Sequence, residues 1–205
     1  MVISNIYGKP ITHDIPTCIA VATGARLSEV LGLRWSDIDF ERRTITIRQA
    51  QKLARKRTEN GLAYRIEYGK PKNKKGRTID IPESLAKLLE RHRRQQKKDK
   101  LSFGELYQDN NLVCCRENGE PINNSTLGSY FRAVARRLDL NISFHTLRHT
   151  HASLLLKMDE NLKTISARLG HSGIGITADL YTHLFPDAQK KAAKKVDFLL
   201  ADKQI

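Results

Sequence analysis

Residues 144–156 read FHTLRHTHASLLL, with three histidines and an arginine packed into seven positions ahead of an apolar run. His145 and Arg148 are three apart, so a helix brings them onto one face. A guanidinium presents a planar fork of donors that fits two phosphate oxygens. An imidazole beside it can take or give a proton near neutral pH. An isolated HxxR is more often a plain polar helix face, so the pair gains meaning only from the rest of the chain. His149 and His151, on the same segment, read as helix surface or packing.

The chain has 205 residues, 40% of them hydrophobic, which is enough to bury a core. Lys and Arg number 36 against 22 Asp and Glu, a formal charge of +14, and the pI is near 9.9. Such a surplus points to a polyanion: nucleic acid first, an anionic membrane surface second. No apolar run approaches the roughly 20 residues that span a bilayer. The opening MVISNIYGKPITHD lacks the layout of a signal peptide. Cys18, Cys114 and Cys115 make no disulfide framework, and no Cys/His spacing suits zinc. A cytoplasmic protein without a metal is expected. An RNA-binding module finds no support, since only 6% of residues are aromatic and none cluster as a stacking platform would need.

Periodicity predicts a helix ending near Ala22, a turn at Thr23–Gly24 and a second helix over about 26–33. RTITIRQA, AYRIEYGK and RTIDIP alternate as strands, the last two joined through the lysine-rich turn PKNKKG, so that 44–81 forms a small antiparallel sheet. A helix follows over PESLAKLLERHRRQQKKDK, then a strand-like NLVCCR, then a helix over NNSTLGSYFRAVARRL with an Asn or Ser cap. Further helices are expected over about 145–157, 161–169, 175–183 and 187–203. The fold class is α+β, mainly helical, with one small antiparallel sheet in a single domain. The first 16 residues are thin in core material, as though the chain were cut from something longer.

Three further stretches carry candidate chemistry. In TGARLSEVLGLRWSDID, Arg26 and Glu29 are again three apart, which reads either as an ordinary surface ion pair or as an acid orienting a cationic neighbour. In GKPKNKKGRTIDIP, the turn lysines are solvated decoration or a proton source reaching into a DNA groove. In LGHSGIGITADLYTHL, His171 follows a helix-ending Leu169–Gly170, and Tyr181 comes ten residues later. A lone tyrosine is commonly core or surface. As a nucleophile, with a phenol near pKa 10, it would need cationic neighbours. Each signal alone is weak; their order along one domain is what counts.

In that order the sequence resembles the catalytic domain of the tyrosine recombinases, the phage and transposon integrase family. TGARLSEVLGLRWSDID resembles the first box of that family; FHTLRHTHASLLL and ISARLGHSGIGITADLYTHL resemble the second. The resemblance runs over about 15–185, and its nearest flavour is the integrases of mobile elements in Gram-positive bacteria. It implies that Arg26 and Arg148 clamp a scissile phosphate, that His145 and His171 assist, that Tyr181 is the nucleophile and that Glu29 supports the site. Lys72 fits the position of the catalytic lysine in a turn about one residue short, and Lys74 is the second choice. His183, like His149 and His151, matches no family role.

The resemblance further implies metal-independent cleavage and rejoining of double-stranded DNA through a 3′-phosphotyrosine, with no cofactor. It implies a homotetramer in the synaptic complex, a monomer when free, accessory DNA-bending proteins and no membrane. The location would be a bacterial cytoplasm, at the nucleoid when bound. Residues 1–205 would form one catalytic domain, the separate N-terminal DNA-clamping domain of the family would be absent, and 187–205 would pack on its own domain or dock onto a neighbouring protomer. The rivals are relaxation of DNA by a type IB topoisomerase mechanism and a non-catalytic DNA-binding protein on the same scaffold.

Overall fold

The computed structural model describes residues 14–58, 61–72, 76–171, 173–175, 177, 178, 190, 193 and 194. The chain enters it through α1 (Asp14–Thr23) and the single-turn α2 (Leu27–Val30), followed by a 3-10 turn at Trp35–Asp37. Five strands come next: β1 (Ile38–Asp39), β2 (Thr44–Ile47), β3 (Ala50–Thr58), β4 (Gly61–Gly69) and β5 (Arg77–Asp80). Four longer helices follow among the described residues: α3 (Glu83–Phe103), α4 (Asn124–Arg137), α5 (Phe144–Lys157) and α6 (Leu162–Leu169). Among the described residues no helix is long and apolar enough to cross a membrane.

The mainly helical α+β architecture is the expected one, but the strands pair differently. Among the described residues there are two sheets, β1-β2-β5 and β3-β4, both antiparallel. The expected hairpin of AYRIEYGK with RTIDIP does not form. β4 pairs with β3, from Ala50↔Gly69 to Thr58↔Gly61, and β5 returns to β2, with Ile79 opposite Ile45. The cause is burial. Ile45, Ile47 and Ile79 are at most 1% exposed and complete one apolar face, which holds the register. β3 carries Lys52, Arg55 and Arg57 on an exposed ribbon, so its alternation has no apolar face to betray it. Pro71, lacking an N–H, then ends the ladder after β4. The lysine-rich segment is thus a connection between two sheets and not the tip of a hairpin. NLVCCR contributes only isolated bridges, Arg34↔Leu112 and Cys115↔Pro121.

One core cluster joins Ile15 and Ile19 of α1, the isoleucines of the three-stranded sheet, Leu85 and Leu89 of α3, Val113, Leu127 of α4 and Phe144 of α5. A second, smaller one holds Ala152 and Leu156 of α5 against Ile165 and Leu169 of α6. α5 therefore spans both, and α6 is seated through it. Local signals start these helices: Asn123, within the expected cap, accepts from the Ser125 N–H at 2.9 Å, and Asn161 accepts from the Lys163 N–H at 2.8 Å, caps worth about 1 kcal/mol each. On α3, the basic run is not uniformly solvated. His92 and Gln96 turn inward, His92 Nε2 lying 2.7 Å from the Val113 carbonyl and Gln96 accepting from Trp35 Nε1 at 2.8 Å. Cys114 and Cys115 are buried and unpaired, as packing residues.

Candidate active site

The site is assembled at the meeting of two helix ends. α1 stops at Thr23, and Gly24 follows with φ +67°. A Cβ at Gly24 would lie 2.5 Å from the Leu169 side chain and 2.8 Å from that of His151, so the turn needs glycine for both conformation and space. Arg26 then caps α2. Glu29, three residues on, reaches back to accept from the Arg26 backbone N–H at 3.0 Å and from its guanidinium at 3.1 Å. The expected Arg26–Glu29 pair is therefore present, but it is no surface pair, because Glu29 is 1% exposed. The helix expected over 26–33 is only Leu27–Val30.

A buried carboxylate is costly unless fully partnered, and the second partner comes from β5. Arg77 Nη2 donates to Glu29 Oε2 at 2.7 Å and Nη1 to Oε1 at 3.2 Å. Burial alone pushes the Glu29 carboxyl up; the hydrogen bonds and charges of Arg77 and then Arg26 outweigh it, and the net lies below the ordinary carboxylate value. The third Arg77 nitrogen, Nε, donates to the Arg168 carbonyl at 2.7 Å.

Arg148 projects from α5 into the same place and is 4% exposed. Its two terminal nitrogens donate to the carbonyls of Gly24 and Leu169, both at 2.7 Å. Arg77 and Arg148 thus cap the last carbonyls of α6, where the helix dipole favours cations. Burial, then the like charge of Arg26 and that of Arg77, with Glu29 opposing, bring Arg148 down to about 9. α6 closes with Gly170 at φ +64°, and His171 follows, its Nδ1 2.9 Å from the hydroxyl of buried Thr177. Burial first, then Arg148, Arg26 and Arg77, lower His171 to about 4, which leaves the ring neutral at pH 7. His145 is exposed on α5, edge-on to His149 with ring centroids 4.8 Å apart. Burial, then His149, Arg148 and Arg26, lower its pKa as well.

Two guanidiniums, of Arg26 and Arg77, share the Glu29 carboxylate, and a third, of Arg148, stands beside them on the carbonyls of Gly24 and Leu169. The excess positive charge is held by backbone carbonyls and lies largely out of water, an arrangement completed by an anion with several oxygens, such as a phosphodiester. Of the residues singled out in the sequence, Arg26, Glu29, Arg148 and His171 come together, with His145 nearby. Lys72 is exposed on the connection before β5. Lys74, Tyr181 and His183 lie outside the described residues, as do most of 175–183 and 187–203.

Sequence reasoning missed Arg77 and Arg168. Their partners are far along the chain: Arg77 to Glu29 spans 48 residues, and Arg168 Nη2 lies 3.3 Å from the Ala22 carbonyl and 3.2 Å from that of Asp80. His151, read as surface or packing, packs: it is buried, with Nδ1 2.8 Å from the Val21 carbonyl. Its spacing of three from Arg148 was the available signal.

The sequence profile described as the phage integrase family matches residues 2–187. A XerC-like tyrosine recombinase of Caldanaerobacter subterraneus subsp. tengcongensis is 36% identical over 187 residues, covering 88% of this chain and 48% of that protein. The ICEBs1 integrase of Bacillus subtilis is 31% identical, covering 89% and 48%. The chain spans about half the length of these curated relatives. Among solved structures, the Tn1549 transposon integrase in complex with transposon right end DNA superposes with a TM-score of 0.71 at 25% identity, covering 91% of this chain and 59% of that one.

Proposed function

This chain belongs to the phage integrase family, and from that premise we propose that it cuts and rejoins duplex DNA at specific sites as a tyrosine recombinase, using Tyr181 as nucleophile. Tyr181 attacks a phosphodiester phosphorus in line, the phenol proton leaves, and the bond to the 5′ oxygen breaks. The product is a 3′-phosphotyrosyl link and a free 5′-hydroxyl. Attack on that link by the 5′-hydroxyl of a partner strand forms a new phosphodiester and returns the phenol, so bond energy is conserved through the covalent intermediate.

Arg26 and Arg148 hold the non-bridging oxygens, and the neutral His171 donates a further hydrogen bond. His145, exposed three residues before Arg148, assists the proton at Tyr181. Lys72, with Lys74 as the alternative, protonates the leaving 5′ oxygen. Such preorganised donors stabilise charge where it develops in the transition state. The carrying observation is the buried Glu29 carboxylate bound by Arg26 and Arg77, with the buried Arg148 anchored beside it on Gly24 and Leu169.

DNA is the partner in this reading, in a tetrameric synapse on the bacterial nucleoid, aided by DNA-bending proteins. Residues 1–205 act as one catalytic domain, with residues 187–205 either on its own domain or on a neighbour. The relatives are recombinases and integrases, which favours strand exchange over topoisomerase-like relaxation. The test is incubation with nicked suicide duplexes drawn from a randomised pool, followed by denaturing electrophoresis. A covalent protein–DNA adduct that disappears in Tyr181→Phe is expected, and an adduct that survives that change refutes the assignment.

A further inference from the structure

We propose that Arg77 is a positioning residue of this site: one guanidinium ties the Glu29 carboxylate, which holds Arg26, to the Arg168 carbonyl at the end of α6, from which His171 emerges. The inference rests on the cleavage reading above and adds to it how the phosphate-binding groups are aligned.

Arg26 and His171 stand on separate elements, the α1–α2 turn and the exit of α6, 145 positions apart in the chain. Between them, the Arg77 nitrogens take one acceptor each: Nη2 to Glu29 Oε2 at 2.7 Å, Nη1 to Glu29 Oε1 at 3.2 Å and Nε to the Arg168 carbonyl at 2.7 Å. Only a planar fork reaches three acceptors in this way; a lysine ammonium is a single point on a flexible stem. The fork also lies flat against the turn that launches His171, since a Cβ on Gly170 would sit 3.0 Å from Arg77 Cδ, Nε and Nη1. The Arg77 side chain is 11% exposed, so it acts through Glu29 and the α6 terminus, not on the substrate. β5 delivers it there because Ile79 locks that strand against Ile45 of β2.

The experiment uses the 205-residue chain and a nicked duplex selected from a randomised pool for adduct formation with the unmodified protein. For Arg77→Gln we expect single-turnover cleavage at saturating duplex to fall ten- to a hundredfold, while duplex affinity changes less than threefold. Arg77→Lys should recover only part of that loss. Combined with Glu29→Gln, Arg77→Gln should add little further loss, since both cut the same link. Urea midpoints identify folded variants, and if Arg77→Gln does not fold, Arg77→Lys is the deciding protein. Undiminished cleavage, a loss confined to affinity, or losses that multiply across the two sites would overturn the proposal. A wild-type chain that forms no adduct with any duplex counts against the cleavage reading instead. The proposal is then judged by NMR of histidine-labelled protein, where Arg77→Gln should shift the His171 ring signals and raise its titration point; an unmoved His171 overturns it.

Discussion

Two ion pairs in this molecule have nearly the same length and opposite surroundings. Arg77 and Glu29 meet at 2.7 Å with side chains 11% and 1% exposed; Lys100 and Asp109 meet at 2.6 Å with both 54% exposed. The first joins β5 to α2 across 48 residues, and its carboxylate also holds Arg26. The second links the end of α3 to a loop nine residues on, at the surface. Distance is thus a poor guide to importance. Desolvation makes the inner pair obligatory once formed, because neither partner can be removed without stranding the others. The outer pair is screened and holds two long side chains for little gain.

Glu29→Ala probes the comparison most severely, leaving Arg26 and Arg77 without their shared carboxylate. Urea unfolding should show a loss of about 3 kcal/mol or more; a loss below about 1 kcal/mol would erase the distinction between the two pairs. Arg148→Ala removes a donor anchored on both helix ends and should slow single-turnover cleavage by about 3 kcal/mol of barrier, on the order of 150-fold. Adduct formation within tenfold of the wild-type rate would contradict that role.

Gly24→Ala tests the backbone beneath the same cluster. With φ +67° and Leu169 and His151 in the way, the loss should be about 2 kcal/mol, through strain and overpacking. An unchanged urea midpoint would show that the turn relaxes freely.

Acid should undermine the interior before the surface. His92, His151 and His171 all have folded-state pKa values lowered, with burial the first cause. Above their unfolded value of about 6.5 both states are neutral and this stability is intact. As pH falls below it, the unfolded chain takes up protons first, and stability declines until the folded-state values are reached. Glu29, also lowered, adds a loss at still lower pH, as its carboxylate takes up a proton. Thermal midpoints between pH 7.5 and 5 should fall, and His92→Gln should flatten the curve; a midpoint independent of pH over that range would contradict the burial argument. Lys100→Ala should have the smallest effect, within about 0.5 kcal/mol at moderate salt. A larger change would show that the exposed pair matters more than its exposure implies.

The helices that build the site were readable because their signals are local. Asn123 and Asn161 cap by bonding two residues ahead, and the Thr23–Gly24 and Leu169–Gly170 stops need only a glycine with positive φ. The strand pairing was not readable. β5 alternates equally well for either neighbour, and its partner was selected by the buried isoleucines of β2. β3 hid as a basic run because its ribbon has little buried surface to pattern it.

The same division holds for chemistry. Residue types at short spacing, HxxR and RLSE, and their order along the chain carried the family. Which charges lie out of water, and what they lean on, could not be read from spacing, because each bond runs between distant segments: Arg148 to Gly24 over 124 residues, Arg77 to Arg168 over 91. A one-dimensional pattern encodes propensities within a few residues. Desolvation and three-way hydrogen bonding arise only when packed elements meet, and those are what bring Arg26, Arg77 and Arg148 together around one buried carboxylate and the end of α6.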